Sequence, residues 1–148
     1  MNRNWRRIII HGSAAGLLSG LVLGGLLKWI EHESGKLVYT LLLNVDFVDW
    51  LPQTMPEWLE FGLHLLIAVP LGWLYAVLTT WRGRPWLLAA AIGLTASLTW
   101  VPLTLASDRT PGTGDLSALL WWLSGHLVYA GVLGGYGKLV MSHRAGRR

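Results

Sequence analysis

The chain has 148 residues, of which 53% are hydrophobic and only 14% are charged, and this composition is too apolar for an ordinary small soluble domain. It contains no cysteine, which excludes disulfides, thiolate metal sites and cysteine nucleophiles. The formal net charge of +4 would suggest nucleic acid as a partner of a soluble protein. Here the basic residues are distributed as in a membrane protein, so no nucleic-acid partner is expected.

Four long uncharged runs decide the class of the protein. They cover residues 8–27, 61–80, 85–107 and 116–137. Each contains at least 20 residues and can cross a hydrocarbon core about 30 Å thick at a rise of about 1.5 Å per residue. We therefore predict an all-α fold, an integral membrane four-helix bundle that forms one domain over residues 1–148. The predicted spans cover about 8–29, 58–80, 86–107 and 116–140.

The basic residues also predict the orientation of the spans. With both termini in the cytoplasm, nine of the 12 lysine and arginine residues lie on the cytoplasmic side, and only Lys28, Lys36 and Arg109 lie outside. All eight acidic residues then lie at the outer side. Because short loops rich in Lys and Arg stay in the cytoplasm, we predict an N-in/C-in, multi-pass protein of the cytoplasmic (inner) membrane, with the lipid bilayer as its surroundings.

The first span carries a stripe of small residues. Its glycines recur every four residues, at Gly12, Gly16, Gly20 and Gly24. In lipid, small residues let two helix backbones approach closely. The last span repeats this spacing with Gly131 and Gly135. We predict a glycine-zipper contact between the first and last helices, and a glycine-mediated homodimer is the alternative.

The connection between the first two spans is the longest in the chain. Its middle, residues 36–51, is apolar enough to adhere to a bilayer, but polar residues interrupt it before it is long enough to span. We predict an outer interfacial helix that ends before Pro52 and Pro56, and a re-entrant segment is the alternative. Long ordered loops often carry function, so an external partner or a lid is expected here.

Three local signals complete the topology. The first apolar run is too long for a signal peptide and has no cleavage site before Lys28, which predicts an uncleaved first helix. The short basic turn at 81–85 predicts that spans 2 and 3 form an antiparallel hairpin. Asp115 precedes span 4 and is a candidate N-cap.

Two histidines deep inside the spans are candidate functional residues, because ionisable groups are rare at that depth. His11 also lies in a span, but near its cytoplasmic boundary, where a histidine is less unusual. His64 lies in span 2, one turn after Glu60, and His126 lies in span 4 at a depth that Thr99 of span 3 approaches. We predict that Glu60, His64, Thr99 and His126 form one polar cluster that opens outward.

Three interpretations of this polar cluster compete. The histidines are neutral and hydrogen-bond across helices, or they lie on a proton- or ion-coupled pathway, or they belong to a metal or hydrolytic centre. The third lacks support, because zinc usually takes at least three protein ligands and the chain has no His-Glu-x-x-His motif. No catalytic residue, metal or cofactor is therefore predicted.

Two segments resemble a known group of membrane proteins. Gly125-His126-Leu127-Val128-Tyr129 in the last span precedes a basic tail, and Lys28-Trp29-x-Glu31 follows the glycine-rich first span. Both are similar to segments of the YagU-like and YqhR-like families of small bacterial inner-membrane proteins. The resemblance covers the first and last helices. It implies a bacterial cytoplasmic-membrane protein with no assigned catalysis.

The sequence thus predicts a non-enzymatic structural or interaction protein of the cytoplasmic membrane. Its expected partners are further copies of the chain or another membrane protein. The alternative is a small oligomeric transporter or channel with His64 and His126 near its path. A membrane-embedded enzyme would need a complete catalytic constellation, which the sequence lacks.

Overall fold

The computed structural model describes residues 3–46, 48, 50–52 and 55–142, and this part of the chain is helical without strands. Helix makes up 80% of the structure, which confirms the predicted helical class. The helices are α1 (Arg3–Ser34), α2 (Val38–Leu43), α3 (Glu57–Arg82), α4 (Pro85–Ser97), α5 (Trp100–Leu105), α6 (Leu116–Tyr136) and a π-helical continuation of α6 (Gly137–Ser142). Within the described residues, four segments (α1, α3, α4 with α5, and α6) are long and apolar enough to cross a membrane, which suggests a multi-pass membrane protein.

Glycine in the left-handed conformation ends two of the long helices. Gly35 has a φ of 68° and its N–H donates to the carbonyl of Glu31 at 2.9 Å. Gly83 has a φ of 62° and its N–H donates to the carbonyl of Thr79 at 3.0 Å. Such glycines satisfy the last carbonyls of a helix. Because the glycine that ends α1 is Gly35, the helix continues beyond the predicted end at residue 29 and carries Glu31 in its last turns.

The third span is interrupted, whereas the sequence predicts one continuous helix over 86–107. The break lies between α4 and α5, where the N–H of Thr99 donates to the carbonyl of Ala96 at 3.2 Å in a tight turn. Pro102 explains the break, because its ring lacks an N–H and collides with the carbonyl four residues earlier, that of Leu98. The same turn leaves Thr99 exposed.

The predicted interfacial helix over 36–51 is wrong in length and in packing. Only Val38–Leu43 is helical, and Phe47 and Asp49 lie outside the described residues. Most apolar side chains of α2 are buried where it packs against α1 and α3, and those of Val38 and Leu41 are fully covered. Asn44 ends this helix, since its side chain accepts from the N–H of Asp46 at 3.0 Å.

The long helices pack in the spatial order α3, α1, α6, α4. Helix α1 lies in the middle and has extensive contacts with α3 and with α6, and α6 packs in turn against α4. Helices α3 and α4 adjoin at the turn around Gly83 but touch far less than α1 and α3 do. The predicted hairpin of spans 2 and 3 is therefore a minor contact, and the main partner of α3 is the glycine-bearing face of α1.

The glycine stripe of α1 lies against α3 and not against the last span, so the predicted partner is wrong. A Cβ atom on Gly12 would lie 2.9 Å from the carbonyl oxygen of Gly72, and one on Gly16 would overlap the carbonyl oxygen of Ala68. In the opposite direction, a Cβ atom on Gly72 would lie 2.7 Å from the backbone nitrogen of Gly16. The stripe continues at Gly20 and Gly24, which face side chains of α3. Because α3 covers the stripe within one chain, the stripe does not require a homodimer.

The contact between the first and last helices exists, but other residues build it. A Cβ atom on Gly125 would lie 2.7 Å from Leu27, so leucines of α1 occupy the space that this glycine leaves. Among the described residues, a Cβ atom on Gly131 would meet no other atom within 4 Å, and one on Gly135 would meet only the edge of Trp86 at 4.0 Å. Gly131 and Gly135 therefore do not build the contact of α6 with α1, because their side of α6 faces away from α1.

Candidate functional site

The histidines of α3 and α6, His64 and His126, each donate to a backbone carbonyl. The Nε2–H of His64 on α3 donates to the carbonyl of Gly20 on α1 at 3.3 Å. The Nδ1–H of His126 donates to the carbonyl of Trp122, one turn earlier in α6, at 2.9 Å. A carbonyl only accepts hydrogen bonds, so these contacts fix which ring nitrogen carries the proton. His64 thus bridges two helices, whereas His126 bonds within its own.

The indole of Trp122 packs against the imidazole of His126. The two rings have centroids 4.4 Å apart, and His126 is only 5% exposed. The indole N–H of Trp122 donates to the carbonyl of Ser97 at 2.9 Å and so ties α6 to the end of α4. Histidine and tryptophan therefore form a packed unit between helices.

The predicted cluster of four residues does not assemble. The hydroxyl of Thr99 donates to the carbonyl of Ala96 at 2.6 Å and stays in its own turn. Glu60 lies in the first turn of α3, beside a cavity between the loops. Among the described residues, no hydrogen bond joins any two of Glu60, His64, Thr99 and His126. Thr99 lies at the break in span 3, and Glu60 lines the cavity.

A polar cavity of about 450 Å³ lies at one end of the bundle, which we call the polar end. The polar end comprises the last turns of α1, helix α2 with Asn44, the first turn of α3 and the segment 106–115. Each of these four segments contributes to the wall of the cavity. The residues that line it include carboxylates, hydroxyls and two basic side chains, although more of the lining surface is apolar than polar.

Glu31 anchors α2 to α1. Its carboxylate accepts hydrogen bonds from the N–H of Tyr39 at 2.7 Å, the N–H of Thr40 at 2.8 Å and the hydroxyl of Thr40 at 2.8 Å. These N–H groups belong to the first turn of α2, where a helix has unpaired donors and favours a negative charge. A glutamate from a neighbouring helix thus takes the role of an N-cap.

Tyr39 and Lys28 converge on Glu57 of α3. The phenol hydroxyl of Tyr39 donates to Glu57 at 2.9 Å, and the ammonium group of Lys28 forms an ion pair with the same carboxylate. The Lys28 nitrogen also lies 5.4 Å from the centroid of the Tyr39 ring. Burial, followed by the hydrogen bond to Glu57, holds the pKa of Tyr39 well above its usual value. Tyr39 therefore stays a hydrogen-bond donor at neutral pH.

Two further ion pairs fasten the loops of the polar end. Arg109 donates from two of its nitrogens to Asp46, and these hydrogen bonds lower the pKa of that carboxyl group. Lys36 donates to Asp115 at 2.9 Å and lowers its pKa in the same way. Asp115 also accepts from the N–H of Ala118 at 3.0 Å, which confirms it as the N-cap of α6. Both carboxylates are thereby held ionised.

Four residues of the polar end, Glu31, Tyr39, Glu57 and Arg109, are not identified as site residues from the sequence. One sequence signal could have pointed to them. All eight acidic residues and only three basic residues lie at the predicted outer end of the spans, so most of the basic residues there are expected to pair with acids. Among the described residues, no three His, Asp or Glu side chains are placed to hold a metal ion.

The fold and the site together define a helical protein with four membrane-length helices and a polar cavity at one end. Comparison of the chain with protein-family models, with curated proteins and with solved structures found no match. None of these comparisons tests the resemblance of the first and last helices to YagU-like and YqhR-like proteins.

Proposed function

We propose that this protein is a multi-pass protein of the bacterial cytoplasmic membrane that acts by recognition and without catalysis. The observation that carries the proposal is the construction of the polar end. Four segments are tied together there by ion pairs and by the Glu31 cap around one cavity. An end that only closed a bundle would not need so many charged groups, because an exposed ion pair adds little stability.

Charge supports an orientation with the polar end outside and both termini inside. The turn at the opposite end carries Arg82 and Arg84, and the start of α1 carries Arg6 and Arg7. At the polar end the described acidic residues outnumber the basic ones. The positive-inside rule then favours a cavity on the outer side, accessible to a partner in the cell envelope. The partner in this proposal is a further copy of the chain, another membrane protein or a small molecule.

The hydrogen bonds of the histidines favour a packing role over a conduction path. A path needs groups that exchange protons with water, whereas His64 and His126 each donate to a helix carbonyl. Loss of either imidazole removes this hydrogen bond and the packing of the side chain in an apolar region, which destabilises the fold. The structural or interaction role is therefore preferred to the transporter or channel.

We expect purified protein in liposomes to give no proton conductance above that of empty liposomes. His64→Phe and His126→Phe remove the donors to Gly20 and Trp122 and should lower the midpoint of thermal unfolding without changing conductance. A pH-sensitive dye inside the liposomes reports the flux, and circular dichroism reports the unfolding.

The opposite pattern would contradict the proposal. A wild-type conductance that either phenylalanine variant abolishes, with an unchanged unfolding midpoint, would establish the histidines as part of a path. Ser124→Ala is a matched control on α6, because its exposed hydroxyl bonds only the carbonyl of Leu120.

A further inference from the structure

We propose that the cavity at the polar end binds a protonated organic amine, and that Glu60 is the carboxylate that receives the ammonium group. The inference rests on the recognition role proposed for this end. It adds a class of ligand, and three observations carry it: the pairing of the charges in the wall, the sign of the charge around it and the size of the cavity.

Among the described residues, all charges in the wall are paired except that of Glu60. These residues contribute three carboxylates to the wall, those of Glu31, Glu57 and Glu60. Glu31 is satisfied by the first turn of α2, and Glu57 by Lys28 and Tyr39. Among the described residues, none donates a hydrogen bond to the Glu60 carboxylate or lies within ion-pair distance of it. Glu60 is thus the acceptor that the protein leaves for a ligand.

Arg109 does not neutralise Glu60 directly. Its guanidinium group lines the same cavity and acts on Glu60 through space, but two of its nitrogens donate to Asp46. No described residue donates to the lone pairs of the Glu60 carboxylate. This carboxylate can therefore accept the N–H groups of an ammonium ion.

The surroundings of the cavity also favour a cation. The described residues of the polar end include seven carboxylates: Glu31, Glu33, Asp46, Glu57, Glu60, Asp108 and Asp115. Three basic side chains oppose them: Lys28, Lys36 and Arg109. An excess of one sign around a cleft raises the local concentration of ions of the other sign. An anionic ligand would be repelled at the same place.

The size and chemistry of the cavity select an organic cation. A volume of about 450 Å³ falls in the range of small-molecule sites, about 300–1,000 Å³, and far exceeds one metal ion. Lys28 is an example of an amine bound in this wall, because its ammonium group contacts the Glu57 carboxylate and lies over the Tyr39 ring. Glu60 offers a second carboxylate one turn of α3 later, and Leu43 offers an apolar surface for an alkyl chain.

The test is isothermal titration of n-butylamine into the full chain in phosphatidylcholine nanodiscs, with butyrate as the probe of opposite charge. We expect butylamine to bind and butyrate not to bind. Glu60→Gln keeps the size of the side chain and removes its charge, so the Kd for butylamine should rise at least about tenfold. Glu60→Asp keeps the charge and should retain binding.

Glu33→Gln is the matched control, because it removes one carboxylate from the same end and Glu33 lies outside the cavity. Its Kd should stay within about twofold of wild type, since exposed charges are screened by salt. The inference is overturned if Glu60→Gln binds butylamine as wild type does, if butyrate binds in preference, or if butylamine does not bind at millimolar concentration.

The outcomes also separate this inference from the proposed function. If labelled butylamine binds and is carried into liposomes, the amine-binding inference is supported, and the proposal that the protein recognises a partner without transporting it is refuted. If butylamine does not bind and the liposomes show no conductance, the amine site fails and the recognition role loses only this ligand.

Discussion

Replacing Gly16 with leucine is expected to force α1 away from α3 and to lower the free energy of unfolding by about 3 kcal/mol. A Cβ atom at this position would lie 3.0 Å from the carbonyl carbon of Ala68 and would overlap its oxygen. Backbone atoms cannot rotate aside as a side chain can, so the two helices must separate. Thermal or denaturant unfolding in a mild detergent measures the loss, and sizing of the same sample reports any change in mass.

Two comparisons make the Gly16 result specific. Gly25→Leu makes the same change on the same helix at an exposed position with no atom within 4 Å, and it should leave the stability nearly unchanged. Gly20→Leu should have an intermediate effect, because its nearest neighbours are side-chain atoms and not backbone atoms. The side chain of Leu65 can rotate aside, whereas the Cβ atom of Ala68, at 2.9 Å, moves only with the backbone of α3. Equal unfolding midpoints for the Gly16 and Gly25 variants would refute the close contact of α1 with α3.

Replacing Glu31 with alanine is expected to release α2 from the bundle. The change removes three hydrogen bonds, two of them from N–H groups in the first turn of α2. A hydrogen bond to a charged group contributes about 1.5–3 kcal/mol. We expect the amides of Tyr39 and Thr40 to exchange with solvent about 30-fold faster or more, which corresponds to at least about 2 kcal/mol of local stability.

The control for Glu31 is Glu33→Ala. Glu33 belongs to the same last turns of α1, but its side chain is 59% exposed and approaches only His32, at 4.0 Å. Hydrogen exchange of α2 should not change in this variant. If the amides of α2 exchange equally fast in both variants, the total negative charge at the polar end holds α2 in place, and the hydrogen bonds from Glu31 do not.

The class of fold is predictable because it depends on length and polarity alone. A run of about 20 apolar residues needs internal backbone hydrogen bonds in lipid, and a helix provides them. Asp115 is predictable for a similar reason, since an N-cap is a local interaction within a few residues of the chain. Both inferences use residues that are adjacent in sequence.

The partner of a helix face is not a local property. The spacing of Gly12 to Gly24 indicates that some backbone approaches α1, but it does not identify the helix. The matching spacing of Gly131 and Gly135 favours α6, whereas Ala68 and Gly72 of α3 are the residues that meet the stripe. Small residues at a spacing of four occur on both helices, and only the packing of the whole bundle decides between them.

The contacts of the candidate site are harder still to predict, because they join residues that are far apart in the sequence. A comparable depth predicted from the sequence does not place Thr99 beside His126, because Pro102 turns the chain before α5. Glu31 and Thr40 are nine residues apart across a helix end. Arg109 and Asp46 are 63 residues apart. Such pairs depend on the paths of the loops in space. The sequence shows which loop residues are charged, but it does not show which of them meet.

The sidedness of the polar end tests the central claim most directly, and the absence of native cysteine allows a clean experiment. Gly112→Cys introduces one thiol at the polar end, and Trp81→Cys introduces one at the opposite end, both at exposed positions. In spheroplasts, a membrane-impermeant maleimide should label Gly112→Cys at once and Trp81→Cys only after permeabilisation. Labelling of both from one side, or in the reverse order, would contradict a four-span protein that presents its cavity to the outside.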